Sequence, residues 1–121
     1  MRAKIKLVMA TKQSTIEYIE DQLVDVPAIH SRKMFGEYAL YCGEKTVALV
    51  CDNKLFVKIT EEGKTFVGDH YEEGAPYPGA KPWMYIDEDL IDDHEWLCEL
   101  IYITEQQLPI PKPKKKKEKT K

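Results

Sequence analysis

Three cysteines are the side chains in this sequence that best fit nucleophilic or redox chemistry. Cys42 and Cys51 lie in strand-like apolar runs, and Cys98 follows Leu97 in a helical pattern. A nucleophilic thiol needs a nearby base and an electropositive setting, whereas apolar neighbours favour reduced thiols that fill a core. The sequence contains no CxxC pair, so the spacing does not support a zinc ribbon or a thioredoxin-like site. We therefore predict that the cysteines are structural.

The three histidines are the next candidates, as metal ligands or as general bases. His30, His70 and His94 show neither the i, i+4 spacing nor the short-loop spacing of histidine metal sites. The sequence also lacks a GxSxG elbow, a P-loop and a GxGxxG turn. We predict no catalytic residue, no metal site and no cofactor, so the chain is expected not to be an enzyme. An enzyme without a recognisable motif is the alternative.

Charge is divided unevenly between the body and the C-terminal tail. Residues 112–121 hold seven lysines and one glutamate, a net charge of +6, whereas the other 111 residues carry −9. An acidic body argues against a folded DNA-reading surface, which normally shows a basic stripe. The tail is the candidate for weak, nonspecific nucleic-acid binding, and a solubilising role or a contact with the acidic body are the alternatives. The candidate polyanion contacts are Lys114, Lys115, Lys116 and Lys117.

Length and composition predict one domain. At 121 residues and 14.1 kDa, with 43% apolar residues, the chain is sufficient for a single core. We predict a flexible arm over residues 1–10, a domain over 11–108 and a disordered Pro/Lys-rich tail over 109–121. The apolar piece of the arm is shorter than the roughly 7–15 residues of a signal-peptide h-region, and no apolar run reaches the roughly 20 residues of a membrane span. We expect a cytoplasmic protein without membrane contact.

Helical periodicity appears near both ends of the predicted domain. Residues 14–17 fit a capping box, which predicts a first helix from Ser14 that ends near Pro27, with Thr11 as an alternative start. A second long helix is predicted over residues 95–107, and Thr60 begins a short helix or turn. The apolar stripe of the first helix comprises Ile16, Ile19, Leu23 and Val26, and that of the second comprises Leu97, Leu100, Ile101 and Thr104.

Strand patterns lie between these helices and predict an α+β fold with an antiparallel meander. The predicted strands cover residues 29–34, 38–42, 45–51, 54–59 and 83–86. Two-residue turns at 43–44 and 52–53 imply hairpins. The continuous apolar run 47–51 predicts a strand at the centre of the sheet. In the predicted register, Ala48 lies opposite Ala39 and Val57, and Leu49 lies between Tyr38 and Phe56.

The segment 32–41 is the most distinctive part of the sequence. We expect Gly36 to supply a bend that a side chain would obstruct, and Met34 and Phe35 to anchor this bend to the core. Tyr38, Leu40 and Cys42 should share one sheet face. An aromatic peptide groove and ordinary cross-strand packing are two interpretations of Tyr38, Tyr41, Tyr77, Trp83 and Tyr85.

Charged residues of the same segment are left as candidate contacts to a partner. Arg32, Lys33 and Glu37 are the residues that we expect to be free for such a contact. The alternative is that the basic pair lies on an edge strand, where lysine discourages sheet-to-sheet aggregation.

Taken together, these residues resemble the signature of the TfoX/Sxy N-terminal domain family. The matching pattern is Arg32-x-Met34-Phe35-Gly36-x-Tyr38-x-Leu40-Tyr41, and it continues through 47–58 and into the strand at 83–85. The resemblance covers about residues 12–108. It implies an antiparallel sheet flanked by N- and C-terminal helices, similar in outline to secretion chaperones.

The resemblance also carries functional expectations. Full-length members of this family are regulators of natural competence that work with the cyclic-AMP receptor protein, and they have a second, helical domain. No catalytic residues are established for the family, so none is transferred. We expect a bacterial, stand-alone module without the C-terminal domain that binds a protein partner in transcriptional regulation, such as the transcription machinery. A homodimer is a further expectation.

Neutralising the tail tests its polyanion binding. The variant with Lys114, Lys115, Lys116 and Lys117 changed to Gln should lose most of any affinity for duplex DNA at low salt. Each phosphate contact contributes to the salt slope of the affinity, so the slope should fall with the number of lysines removed. Fluorescence anisotropy at several salt concentrations measures both quantities. Unchanged affinity in the variant would show that these four lysines do not carry the DNA contact, and deletion of residues 112–121 would then separate the tail from the body.

Overall fold

The computed structural model describes residues 11–109, which form six β-strands and four α-helices. The predictions for the arm 1–10 and for tail residues 110–121 lie outside the described residues. The strands are β1 Ile29–Met34, β2 Glu37–Cys42, β3 Lys45–Cys51, β4 Lys54–Val57, β5 Glu73–Gly74 and β6 Trp83–Ile86. The helices are α1 Gln13–Gln22, α2 Glu61–Val67, α3 Glu88–Ile91 and α4 His94–Gln107, and a 3-10 turn spans Gly68–His70.

All six strands form one antiparallel sheet in the order β1-β2-β3-β4-β6-β5. Consecutive hairpins place β1 to β4 side by side, and the proline-rich loop 75–82 then returns the chain so that β6 pairs with β4. The predicted α+β fold and its antiparallel meander are confirmed. β3 lies inside the sheet, as its continuous apolar run indicates. The two-residue strand β5, at the edge of the sheet, has no counterpart in the sequence prediction.

The register of the sheet differs from the prediction on one side of β3. The β3–β4 pairs Ala48–Val57 and Leu49–Phe56 are as predicted. In the β2–β3 ladder, however, Ala48 lies opposite Leu40 rather than Ala39. The predicted turn at 43–44 is present, but a bulge follows it: Tyr41 pairs with Thr46, and Leu40 pairs with Ala48. Val47 is therefore an extra residue in β3, and it shifts every later pair by one.

The helices cover one face of the sheet, which we call the inner face. The core unites the buried stripes of α1 and α4 with sheet residues of this face, such as Leu40, Val50 and Leu55. By the pairing register, the buried residues Ala39, Cys51 and Phe56 lie on the opposite face, outside this core cluster. Among the helices of the described part of the chain, all pack on the inner face, and the other face, which we call the outer face, has no helix over it.

The start of α1 corrects the capping-box prediction. The helix begins at Gln13, and Ser14 lies inside it. Asn53, in the β3–β4 turn, accepts hydrogen bonds from the backbone N–H of Lys12 (2.9 Å) and from the Thr15 hydroxyl (2.9 Å). The first backbone N–H groups of a helix have no partners within the helix. At the N-terminus of α1, a distant turn provides an acceptor, and the capping box of the helix itself does not. α1 also ends earlier than predicted, at Gln22.

The C-terminal half of the domain follows the sequence prediction closely. The buried residues of α4 are Leu97, Leu100, Ile101 and Thr104, the predicted stripe. Thr60 caps α2 by accepting a hydrogen bond from the Gly63 N–H at 3.0 Å. His94, the first residue of α4, contacts Asp25 with its Nε2 atom 2.8 Å from the carboxylate. This ion pair links α4 to the segment between α1 and β1.

The His94–Asp25 pair should make stability depend on pH in a definite direction. The hydrogen bond that His94 Nε2–H donates to the Asp25 carboxylate raises the pKa of His94, so the folded state binds the imidazole proton more tightly than the unfolded state. Its stabilisation is complete below the unfolded pKa of about 6.5 and is lost as pH rises through the folded pKa.

Asp25→Asn should therefore lower the free energy of unfolding at acidic pH and have a vanishing effect at alkaline pH. Because both side chains are partly exposed, the effect will be small. Urea unfolding at a series of pH values measures it, with Asp69→Asn, an exposed aspartate after α2, as the control. A destabilisation that grows with pH would contradict this assignment.

Candidate functional site

The β1–β2 hairpin ends in a two-residue turn made by Phe35 and Gly36. Their φ angles are +49° and +81°, and the flanking residues Met34 and Glu37 form the last pair of the ladder. Two positive φ angles in succession are the geometry that matches the right-handed twist of a hairpin. Gly36 adopts this region without strain, so the expectation that it supplies the bend is confirmed.

Phe35 contradicts the expectation that it anchors the turn to the core. Its side chain is 100% exposed, and that of Met34 is 41% exposed. The prediction failed because Phe35 is itself a turn residue, and its side chain stands at the tip of the hairpin rather than over the sheet. A bulky residue at positive φ is a genuine outlier, since Asn, Asp and Gly adopt this conformation at lower cost. The chain thus holds an apolar ring in water on a strained backbone.

An apolar groove of about 450 Å³ begins at this tip. Its floor includes Leu49 and Cys51 of β3, and its far wall is Tyr77 and Pro78 of the loop 75–82. Tyr77 is half-exposed, and the neighbouring Pro76 is buried. The loop thus covers part of the outer face and leaves a depression between itself and the hairpin. The complete lining is Met34, Phe35, Glu37, Tyr38, Leu49, Cys51, Tyr77 and Pro78.

The three predicted partner-contact residues lie in different environments, and of these only Glu37 lines the groove. Arg32 and Lys33 are exposed on β1, which is an edge strand, and the Arg32 guanidinium lies 6.0 Å from the centre of the Tyr41 ring. Glu37 is half-buried. Its Oε1 atom accepts hydrogen bonds from the Thr11 hydroxyl (2.6 Å) and from the Asp52 N–H (3.0 Å). Glu37 therefore ties the start of the domain to two hairpins, and a partner contact by all three residues stays a prediction.

The aromatic residues considered for a peptide groove are divided between two settings. Tyr77 forms a wall of the groove, and Tyr38 borders the groove although it packs against the core of the inner face. The others make contacts along the sheet: Tyr41 stacks on His30 at 5.3 Å, Tyr85 packs against Phe56 at 5.8 Å, and the Lys58 ammonium lies 5.8 Å from the Trp83 ring. Of the signature residues, Leu40 is fully buried and shares the inner face with Tyr38 and Cys42, as expected.

The cysteines have the environment of structural thiols. Burial raises the pKa of Cys42 and of Cys51 to about 11, and burial also raises the pKa of Cys98. Thiols with such pKa values are protonated at neutral pH and are poor nucleophiles. Across residues 11–109, no group of three or more His, Cys, Asp or Glu side chains has the geometry to hold a metal ion. None of the helices within that range is long and apolar enough to span a membrane.

Two features of the site escaped the sequence analysis. The exposure of Phe35 was missed because the predicted strands 29–34 and 38–42 left three residues for the connection, whereas in the structure β2 starts at Glu37 and leaves only two, Phe35 and Gly36. The groove wall was not detectable, because nothing local in the sequence shows that the loop around Tyr77 folds back over Leu49. The four candidate tail lysines lie outside the described residues.

Comparison with known proteins identifies the class of protein that has this fold. The TfoX N-terminal domain model matches residues 21–108, and the chain belongs to this family. It is also similar to a protein of Spirochaeta aurantia that is described as an uncharacterized 12.7 kDa protein in the trpE 5′ region. That protein is 39% identical over 112 residues, which cover 93% of this chain and 96% of the relative. The TfoX N-terminal domain is not known as a catalytic family.

Replacing Phe35 by Asn tests whether the tip is strained. Asn tolerates positive φ, and the fully exposed ring makes little packing that the substitution would remove. We expect Phe35→Asn to raise the free energy of unfolding by about 1 kcal/mol. For a domain of this size, that corresponds to a rise in Tm of roughly 4–8 °C.

Phe35→Ala is the matched control for this measurement. It removes the same ring, but Ala does not tolerate a positive φ angle as Asn does. The Tm of Phe35→Ala should therefore stay close to that of the parent chain. Calorimetry compares the three proteins. A fall in Tm for Phe35→Asn would mean that the ring contributes to folding and is not held under strain.

Proposed function

We propose that this chain is a non-catalytic protein-interaction module that acts in transcriptional regulation in the cytoplasm. Its contact surface comprises the hairpin tip, the adjoining groove and the two exposed cations of β1. We call this set the tip surface. It comprises Phe35, the rest of the groove lining, Arg32 and Lys33. The observation that carries the proposal is the fully exposed Phe35 at positive φ. A strained, solvated aromatic residue lowers stability, and such outliers concentrate at functional positions.

The shape and chemistry of the tip surface support a protein as the ligand. A projecting aromatic ring beside an apolar depression is typical of interaction hot spots, in which an anchor side chain fills a pocket. The lining of the groove is mostly apolar, and its one charged side chain, Glu37, is engaged by Thr11 and the Asp52 N–H rather than available to orient a small substrate. Arg32 adds positive charge on the outer-face side of β1, and Lys33 adds it on the other side of the same edge strand. Both charges favour a partner with acidic groups around an apolar centre.

The regulatory part of the proposal rests on family membership. The matched domain is the N-terminal domain of TfoX, a family whose full-length members regulate natural competence. Protonated, buried thiols at Cys42 and Cys51 support a binding role rather than catalysis. The acidic character of the body supports a protein rather than a nucleic acid as the partner of the folded domain.

Quantitative affinity capture from native lysate of the source organism tests this function. The parent chain should retain specific proteins that Phe35→Asn loses, although that variant is expected to be at least as stable. The double variant Arg32→Gln, Lys33→Gln should weaken capture and reduce its salt dependence, because charges at the edge of an interface mainly affect the association rate.

Tyr102→Gln is the matched control for capture, because it removes a half-exposed aromatic ring from α4. α4 is anchored near the opposite end of the sheet, where Glu105 contacts Lys45 at the start of β3. This variant should capture the same proteins as the parent chain. Identical protein sets on the parent chain and on Phe35→Asn would refute the proposed contact surface.

A further inference from the structure

We propose that the partner seated at the tip surface is a second copy of this chain, related to the first by a two-fold axis. Phe35 of each copy enters the groove of the other, so that two equivalent contacts form at once. This inference concerns the same surface as the proposed function and goes beyond it, because it names a second copy of the chain as the occupant.

The first argument is that one patch carries both halves of a complementary contact. Phe35 projects at the tip and also lines the rim of the groove, directly beside Met34 and across from Tyr77. A two-fold interface must be self-complementary, since the same patch meets itself. A projecting ring beside a groove satisfies this condition. A two-fold axis between the two copies places the ring of each copy in the groove of the other. A groove of about 450 Å³ accommodates a phenyl ring.

The second argument comes from charge. Residues 11–109 contain 8 lysines and arginines against 20 aspartates and glutamates, so two copies repel each other over most of their surfaces. Around the tip surface the balance differs. The Lys54 ammonium lies 4.0 Å from the Asp52 carboxylate, and the exposed cations Arg32 and Lys33 belong to the same hairpin as Glu37. Three cations thus accompany two carboxylates at this end of the sheet, so it opposes the approach of a second acidic copy less than the rest of the body does.

The third argument concerns the backbone of the turn. Gly36 and the ladder pair Met34–Glu37 already form a closed two-residue hairpin, and Asn at position 35 would complete it without strain. The carbonyl of Gly36 also accepts a hydrogen bond from Thr11 N–H at 3.1 Å, which fixes the tip to the start of the domain. The backbone that carries the ring is therefore fixed before association. Such preorganisation lowers the ordering cost of association.

Contact through two tips is small, so the dimer should be weak. Interfaces below about 1,200 Å² are typical of transient encounters. Sedimentation equilibrium on the full chain, from about 10 μM to about 1 mM, covers this range of affinities. The parent chain should show a reversible monomer–dimer equilibrium. Phe35→Asn, which removes the ring, and Tyr77→Ser, which removes the groove wall, should each raise the dimer Kd by roughly tenfold or more. Tyr102→Gln should leave it unchanged.

Mixing the two defective variants gives the decisive measurement. Phe35→Asn keeps an intact groove, and Tyr77→Ser keeps an intact ring, so a mixed dimer regains one of the two contacts. The mixture should therefore associate more strongly than either variant alone. A mixture that associates no better than its components would overturn the exchange of rings. A dimer that is insensitive to Phe35→Asn, as expected for pairing along the β1 edge, would overturn it as well.

Failure of this inference can be separated from failure of the proposed function. A parent chain that stays monomeric at every concentration overturns the homodimer. If Phe35→Asn still loses captured proteins in that case, the tip surface serves a different protein and the proposed function stands. The converse outcome has two parts: the parent chain dimerises with restored association in the mixture, and Phe35→Asn captures the same proteins as the parent chain. That outcome supports the homodimer and refutes a contact of other proteins with this surface.

Discussion

Helices α1 and α4 pack against the inner face of the sheet, and this one-sided burial determines the arrangement of everything else. Ile19, Leu97 and Leu100 are almost fully buried, together with the sheet residues they face. A sheet buried on one side keeps its register because a slip by one residue would expose the whole apolar set. The bulge at Val47 is compatible with this constraint, since Leu40, Ala48 and Val50 still belong to the core.

The outer face is less completely covered than the inner face. Within residues 11–109, no helix covers Leu49, Cys51 or Phe56, and the loop 75–82 covers that face only in part. The groove is the space that remains between this loop and the β1–β2 hairpin. At its rim, the local preferences of Phe35 disagree with its position in the structure. Its side chain is apolar but exposed to water, and its backbone has a positive φ angle. Proteins violate local rules of this kind mainly at functional positions, where a partner compensates for the cost.

Regular periodicity made most of the architecture predictable. The buried stripe of α4 and the cap at Thr60 follow from local sequence and match the structure. The β3–β4 register follows from its two-residue turn. Failures occur where distant residues override local signals. Asn53 supplies the hydrogen bonds at the start of α1 in place of the capping box at Ser14, and the extra residue Val47 shifts the β2–β3 pairs.

For the candidate site, the sequence determined the family, the bend at Gly36 and the presence of a basic pair at Arg32 and Lys33. These are properties of residue type and spacing, and residue type and spacing fix local backbone conformation. Only the tertiary structure decided that Phe35 points into solvent and that Glu37 is engaged by Thr11. It alone placed Tyr77 across from the hairpin. Whether an apolar side chain is buried or exposed depends on which other segment covers it. The covering segment is determined by tertiary packing rather than by the order of residues in the sequence.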